Sequence, residues 1–352
     1  MDLIELQTDD PHWAEFLEGH EHQVFHRPEY KQFIEETFQN TKAHYFAIAD
    51  KKIKIIFPLF YVDQPWLRKI FFSPFFDIFK PKLTSAAFHD FGGPIGELKP
   101  EYMIKLFNHI KETYSIDNVE IKDNNPLFNK LVKRKNYRKF VISLENKEQV
   151  WRNIQKSKRK AVKKAQREGI TTREVPKKEI NKLYKTYLEN MRAFGELPYP
   201  KRYFINFYEN FIEKGLGKCF GAYYGNKLVS VLLGYTVKDN VHIVIAVSEK
   251  KYLELRPNDA VHWQFIEWAC DNGYKYFDFG RTRPESGQYD YKRKWGGKIE
   301  ELTTNYLPIK TKNIPTIDPT NPKYQLFIKI EQHLPLWFTK YISSWFREGL
   351  GM

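Results

Sequence analysis

The sequence predicts an α/β fold, in the broad α+β sense of mixed sheets flanked by helices, made of two similar units in tandem. A hairpin pattern occurs twice. Strand-like runs 45–49 and 53–61 flank the turn Asp50-Lys51-Lys52, and runs 219–224 and 228–236 flank Gly225-Asn226-Lys227. Turn residues between β-branched and aromatic runs are the hairpin signature. A helix and then a short strand follow each hairpin. In the first copy, Met103, Ile104, Phe107 and Ile110 have helical spacing over 101–113, and strand 118–122 comes next. In the second copy Val261, Phe265, Ile266 and Ala269 mark a helix over 258–270, followed by strand 274–279. The length of 352 residues suits two ordinary domains or one large one, and the repeated element order favours two.

The expected boundaries are 1–145 for the first unit, 146–312 for the second and 313–352 for a helical tail. A strand at 140–144 closes the first unit. A strongly basic helix over 151–169 opens the second, with Trp151, Ile154, Val162 and Ala165 on its buried face and Gly169 as its stop. Its lysines and arginines form either a solvated face or a contact for an anionic partner, because like charges along one helix repel. Between Gly169 and Cys219 there is room for a strand and two ordinary helices.

The balance of 57 basic against 43 acidic residues gives a net charge of +14, which attracts nucleic acid, anionic lipid or phosphorylated substrates without choosing among them. The N-terminus lacks the pattern of a secretory signal, and no apolar run reaches the roughly 20 residues that a bilayer requires. Cys219 and Cys270 have no metal-ligand spacing and read as buried free thiols. His20, His22 and His26 lack the carboxylate partners of a metal site, so no metal is expected. Neither a Gly-x-Ser-x-Gly turn nor a Walker loop is present, and the turn Gly92-Gly93-Pro94 has no phosphate-loop lysine. The expected location is cytoplasmic, with a peripheral position at the inner membrane face for the tail. The aromatic stretch 69–81, with five phenylalanines, reads as a loop packed on a sheet or lining a groove. In the tail, Trp337, Phe338, Tyr341, Ile342, Trp345 and Phe346 with Lys340 and Arg347 fit either a helix docked on the body or one lying on an anionic membrane.

The richest segment is Phe277-Asp278-Phe279-Gly280-Arg281, followed by a loop running from Gly287 through Tyr289, Tyr291, Lys292, Arg293 and Lys294 to Trp295-Gly296-Gly297. Arg281 and Arg283 leave the strand end and Lys292 returns towards it. Arginine forks and a mobile ammonium together suit phosphate or carboxylate. Asp278 serves either as a base or as the group that orients Arg281.

This motif resembles the closing signature of Fem-type proteins, and the tail segment Leu334-Pro335-Leu336 followed by Lys340 and Arg347 looks like the FemAB-like, polysaccharide-associated branch. The segment Arg159, Val162, Lys163, Ala165, Gly169, then Arg192, Gly195 and residues 199–204, is similar to the family's start of the second unit. Gly92-Gly93-Pro94 fits the first. The resemblance covers nearly the whole chain, but the long helical-hairpin arm of some peptidoglycan members is absent and Pro198 falls one position late. It implies two tandem acetyltransferase-like (GNAT) units and an acyltransferase that forms an amide on a cell-envelope precursor. The implied donor is aminoacyl-tRNA, and the acceptor is a peptide or amino sugar linked to phosphate, bound between the units near Arg281 and Lys292. Lys292, Arg281 and Asp278 are the expected catalytic residues. Arg283, Tyr289, Tyr291, Arg192 and Arg159 are the expected substrate contacts. No cofactor and no DNA partner are expected. Ordinary acetyltransferases of this fold hold the pyrophosphate of acetyl-CoA on a glycine-rich loop before the central helix. Here that place reads Arg256-Pro257-Asn258-Asp259-Ala260, which lacks glycine, loses an N–H and adds a negative charge. Two alternatives remain: a CoA-dependent N-acyltransferase, and a non-catalytic scaffold that binds RNA or a membrane surface.

Overall fold

The computed structural model describes residues 1–65, 80–310 and 322–351, the side chains of 322–327 excepted. Most of the aromatic stretch 69–81 lies outside the described residues. The chain divides into two compact units. Unit 1 comprises Met1–Asn136, Leu302–Pro319 and Trp345–Met352, and unit 2 comprises Tyr137–Glu301 and Thr320–Ser344.

Unit 1 begins with β1 (Asp2–Glu5), α1 (Pro11–Glu18) and α2 (Pro28–Thr37), then the hairpin β2 (Thr41–Ala49) and β3 (Ile53–Val62). After β4 (Lys82–Thr84) and β5 (Ile95–Gly96) come α3 (Pro100–Thr113) and β6 (Asn118–Ile121). The order β1-β2-β3-β4-β6 is antiparallel except for the parallel pair β4–β6. Residues 305–308 of the late strand β13 (Lys298–Pro308) pair antiparallel with β6. Phe57, Leu83, Leu106 and Val119 form part of a core between this sheet and α3.

Unit 2 repeats this plan. Strand β7 (Val132–Ser143) contributes residues 137–143. Then come α4 (Lys147–Asn153), α5 (Lys156–Arg167), β8 (Ile170–Glu174), α6 (Ile180–Phe194) and α7 (Lys201–Phe207). The hairpin β9 (Gly217–Tyr224) and β10 (Lys227–Val237) leads to β11 (Asn240–Ser248), α8 (Pro257–Asp271), β12 (Tyr276–Asp278) and α9 (Gly287–Arg293). The sheet order is β8-β9-β10-β11-β12-β7, with β11–β12 as its parallel pair. Both hairpins, both central helices and the strands after them therefore lie where the sequence pattern puts them.

Two local expectations are corrected. The basic helix is two helices, broken where Ile154 takes an extended conformation with ψ 138°. The break lets Ile154 bury itself in the core, 1% exposed. Arg159 Nη1 then donates to the carbonyls of Arg152 at 2.9 Å and Trp151 at 3.3 Å, which satisfies the open end of α4. The returning segment after Gly287 is the helix α9 and not a loop. The Ser286 side chain caps it by accepting the Tyr289 N–H at 3.1 Å.

Candidate active site

The candidate site is the place in unit 2 where two parallel strands part. β11 and β12 pair in register only over Asn240–Tyr276, Val241–Phe277 and His242–Asp278. β11 then runs on to Ser248 beside β10. The other chain passes through Gly280, with φ +70°, and stays with β7 through the Arg138–Thr282 bridge. Glycine takes that left-handed turn at little cost. His242 and Asp278 thus stand side by side at the apex of the divergence.

Asp278 is buried, 5% exposed. Its carboxylate accepts the Gly280 N–H at 2.8 Å, pairs with Lys139 Nζ at 3.1 Å and lies 3.3 Å from His242 Nδ1. Burial opposes the charge, but His242, Lys139 and the Gly280 N–H outweigh it and hold the carboxyl well below the usual range. In this structure the Asp278 carboxylate therefore holds the Gly280 turn and pairs with Lys139. Lys139 also pairs with Glu300 at 3.3 Å, and these two carboxylates override its burial and raise its pKa.

Lys292 reaches the same turn from α9. Its ammonium donates to the Gly280 carbonyl at 3.0 Å and the Arg281 carbonyl at 2.8 Å. It pins the backbone that Asp278 holds by an N–H, so both residues fix one turn. Arg281 and Arg283 lie over the Tyr137 ring at 5.1 and 5.7 Å from its centroid, and Arg283 Nη2 donates to the Tyr137 hydroxyl at 3.3 Å. This stack of two guanidiniums on one phenol keeps their charge near the strand end.

A second buried cluster closes the start of α8. Lys158 Nζ pairs with Asp259 at 2.6 Å and sits 3.3 Å from the Tyr291 ring centroid. Burial pulls the Lys158 pKa down against the pull of Asp259, and it pushes the Tyr291 phenol well up. His262 bonds the Asn258 carbonyl through Nδ1 at 2.8 Å, and burial lowers its pKa to about 3, so it is neutral. At this helix start Pro257 has no N–H, and the Asp259 and Ala260 N–H groups both point at the Arg256 carbonyl, at 3.1 and 3.2 Å.

The structure therefore gathers Asp278, Arg281, Arg283 and Lys292 around one turn. It gives other places to four expected contacts. Tyr289 packs edge-on against Phe140 at 5.0 Å, Tyr291 belongs to the Lys158 cluster, and Arg159 caps α4. Arg192 lies part-exposed in the last turn of α6. Sequence reasoning missed His242, Lys139, Tyr137 and Lys158. Strand alternation could have placed Tyr137 and Lys139 on one face, and the 158, 162, 165 spacing marks Lys158 as a buried position.

Residues 152–293 match the family model of the acetyltransferase (GNAT) domain. The match falls within the second unit and spans most of it. A similar fold is found in a crystal structure of FemX, at 12% identity and TM-score 0.68, covering 93% of this chain and 100% of that one. L-PGS from Bacillus licheniformis is similar at 13% identity and TM-score 0.55, covering 94% and 99%. A tandem GNAT protein from the clavulanic acid biosynthesis pathway is similar at 7% identity and TM-score 0.55, covering 89% and 99%. No curated protein matches the chain by sequence. The domain match and these neighbours agree with the tandem acetyltransferase-like fold that the Fem-type resemblance implied.

Proposed function

We propose that the chain transfers an aminoacyl group from aminoacyl-tRNA to an amine on a phosphate-linked cell-envelope precursor, forming an amide. The observation that carries this reading is the filled start of α8. Helix starts bind phosphate through free N–H groups and a positive dipole end. Here Pro257, the Arg256 carbonyl and the Asp259–Lys158 pair occupy those roles. That arrangement disfavours a CoA pyrophosphate and leaves an ester-linked acyl group as the compatible donor. The exposed Lys156, Lys160, Lys163 and Arg167 of α5 offer phosphate contacts along one helix. FemX and L-PGS share the fold, and the envelope acceptor is inferred from the Fem-type motif.

The acceptor amine attacks the acyl carbonyl, the ester bond to the tRNA 3′ oxygen breaks, and the proton lost by the amine ends on that departing oxygen. Arg281 and Arg283 suit an acceptor phosphate. Lys292 and Asp278 hold the Gly280 turn rigid, which is a positioning role. The test is transfer by the purified full chain with aminoacyl-tRNA or acetyl-CoA as donor, beside mass spectrometry of envelope precursors from a deletion strain. The expected results are donor activity with aminoacyl-tRNA alone and precursors lacking one aminoacyl increment. Tight, productive acetyl-CoA binding would overturn the donor assignment. Lys292→Ala should lower both stability, by about 1–3 kcal/mol, and transfer, because it strands two carbonyls.

A further inference from the structure

Unit 2 exposes a row of large apolar side chains outside the site described above. Phe194 is 58% exposed, Ile330 50%, Trp337 63% and Tyr341 60%. They come from α6 itself and from the tail segments that pack against it. The helix α10 (Pro322–His333) lies against the end of α6. A Cβ on Gly195, which has φ +68°, would fall 2.6 Å from the Ile328 carbonyl, and Gln332 donates to the Ala193 carbonyl at 3.3 Å. The following turns over 336–343 also pack against α6. Tyr341 lies near Tyr184, whose phenol is pushed up first by burial and then by that neighbour. The inner side of this segment is fixed, since Ser343 Oγ donates to the buried Glu331 carboxylate at 2.8 Å and Thr339 is fully buried. Trp337 and Tyr341, four residues apart, are held facing outwards.

We propose that this row is a docking surface for an anionic lipid bilayer. Tryptophan and tyrosine carry an apolar body with a polar tip and favour the headgroup level of a membrane. Lysines stand among them. Lys340 Nζ lies 4.6 Å from the Tyr341 ring centroid, and the exposed Lys329 flanks Ile330. Lysine stems lie along apolar surface while their heads meet lipid phosphate. Glu196 is the exposed acidic neighbour, and the whole chain carries +14. Among the described residues no helix is long and apolar enough to cross a membrane, so the contact is a surface one. The proposal does not depend on the identity of the acyl donor.

The test is flotation of the full chain with phosphatidylcholine vesicles and with vesicles that also contain phosphatidylglycerol. The expected result is binding to the second kind, weakened by salt. Trp337→Ser with Tyr341→Ser should abolish it, and Lys329→Glu with Lys340→Glu should weaken it by about tenfold or more. Transfer to a water-soluble acceptor should stay unchanged in both variants, which separates failure of this surface from failure of the acyl-transfer reading. Circular dichroism confirms that each variant is folded, and Ile330→Glu serves as the second apolar probe if the double serine variant is not. Equal binding to both vesicle kinds, or binding unmoved by all three variants, overturns the proposal. A concentration-dependent dimer that these variants dissolve, with no vesicle binding, would assign the row to a second copy of the chain and would also overturn it.

Discussion

The two units share one strand order and treat its central junction in opposite ways. In unit 1 the parallel pair β4–β6 ends at Thr84–Glu120, and the chain folds straight back over the junction. The Ser85 N–H donates to the Glu120 carbonyl at 2.8 Å, and Ser85 Oγ accepts the Lys122 N–H at 2.9 Å while donating to the Gly92 carbonyl. Lys122 Nζ caps the carbonyls of Ala86 at 2.7 Å and His89 at 3.2 Å. In unit 2 the strand β11 runs on past the junction, and charged groups stand there instead of backbone. Each unit thus spends one lysine, Lys122 or Lys292, on stranded carbonyls. Among the described residues unit 2 alone adds the Asp278–Lys139–His242 group, in which Asp278 and His242 are buried. One plan used twice has given a stitched junction and an ionised one.

The largest effect is expected at Asp278. Asp278→Asn leaves Lys139 and His242 without their buried anion, which should cost about 3–5 kcal/mol and most of the transfer activity. The pH dependence has a definite sign. The folded pKa lies below the ordinary 3.8, so the stabilisation is present above that value and is lost as pH falls through it towards the folded pKa. Urea midpoints of the wild type should therefore fall in acid more steeply than those of Asp278→Asn. A parallel decline would remove the carboxylate from this role.

Lys158→Met comes next. It leaves Asp259 buried and unpaired, at about 3 kcal/mol, with some relief from the positive helix start. Lys158→Met with Asp259→Leu should regain most of that in a double-mutant cycle by urea unfolding. The smallest effect is expected in the stitched junction. Ser85→Ala should cost about 1–2 kcal/mol through lost neutral hydrogen bonds and leave transfer per folded molecule unchanged. A loss of transfer there would mean that the two junctions are not as different as their bonding indicates.

The repeat was legible because each hairpin and each central helix carries its own periodicity, which local sequence reports. The cationic strand end was legible for the same reason, since Asp278, Arg281 and Lys292 lie within one short motif. The rest depended on register. His242 meets Asp278 only because two strands separated by a helix pair in parallel, and Lys139 joins them from an antiparallel strand far earlier in the chain. Charge counting read the 151–169 segment as one helix with a cationic rim. One of its lysines, Lys158, turned inwards because Asp259 offers a buried counter-charge 101 positions away.

Strand β13 sets an order of events during synthesis. Its Asn305 pairs with Ile121 of β6, and the Asn305 amide donates to the Ile121 and Asp123 carbonyls at 3.1 and 2.6 Å. A nascent chain that has released all of the first unit's earlier strands still leaves this flank of β6 open until the second unit has left the ribosome. Such an open flank invites pairing with other chains. A chain truncated or stalled just before residue 302 therefore presents that flank for pairing with other chains.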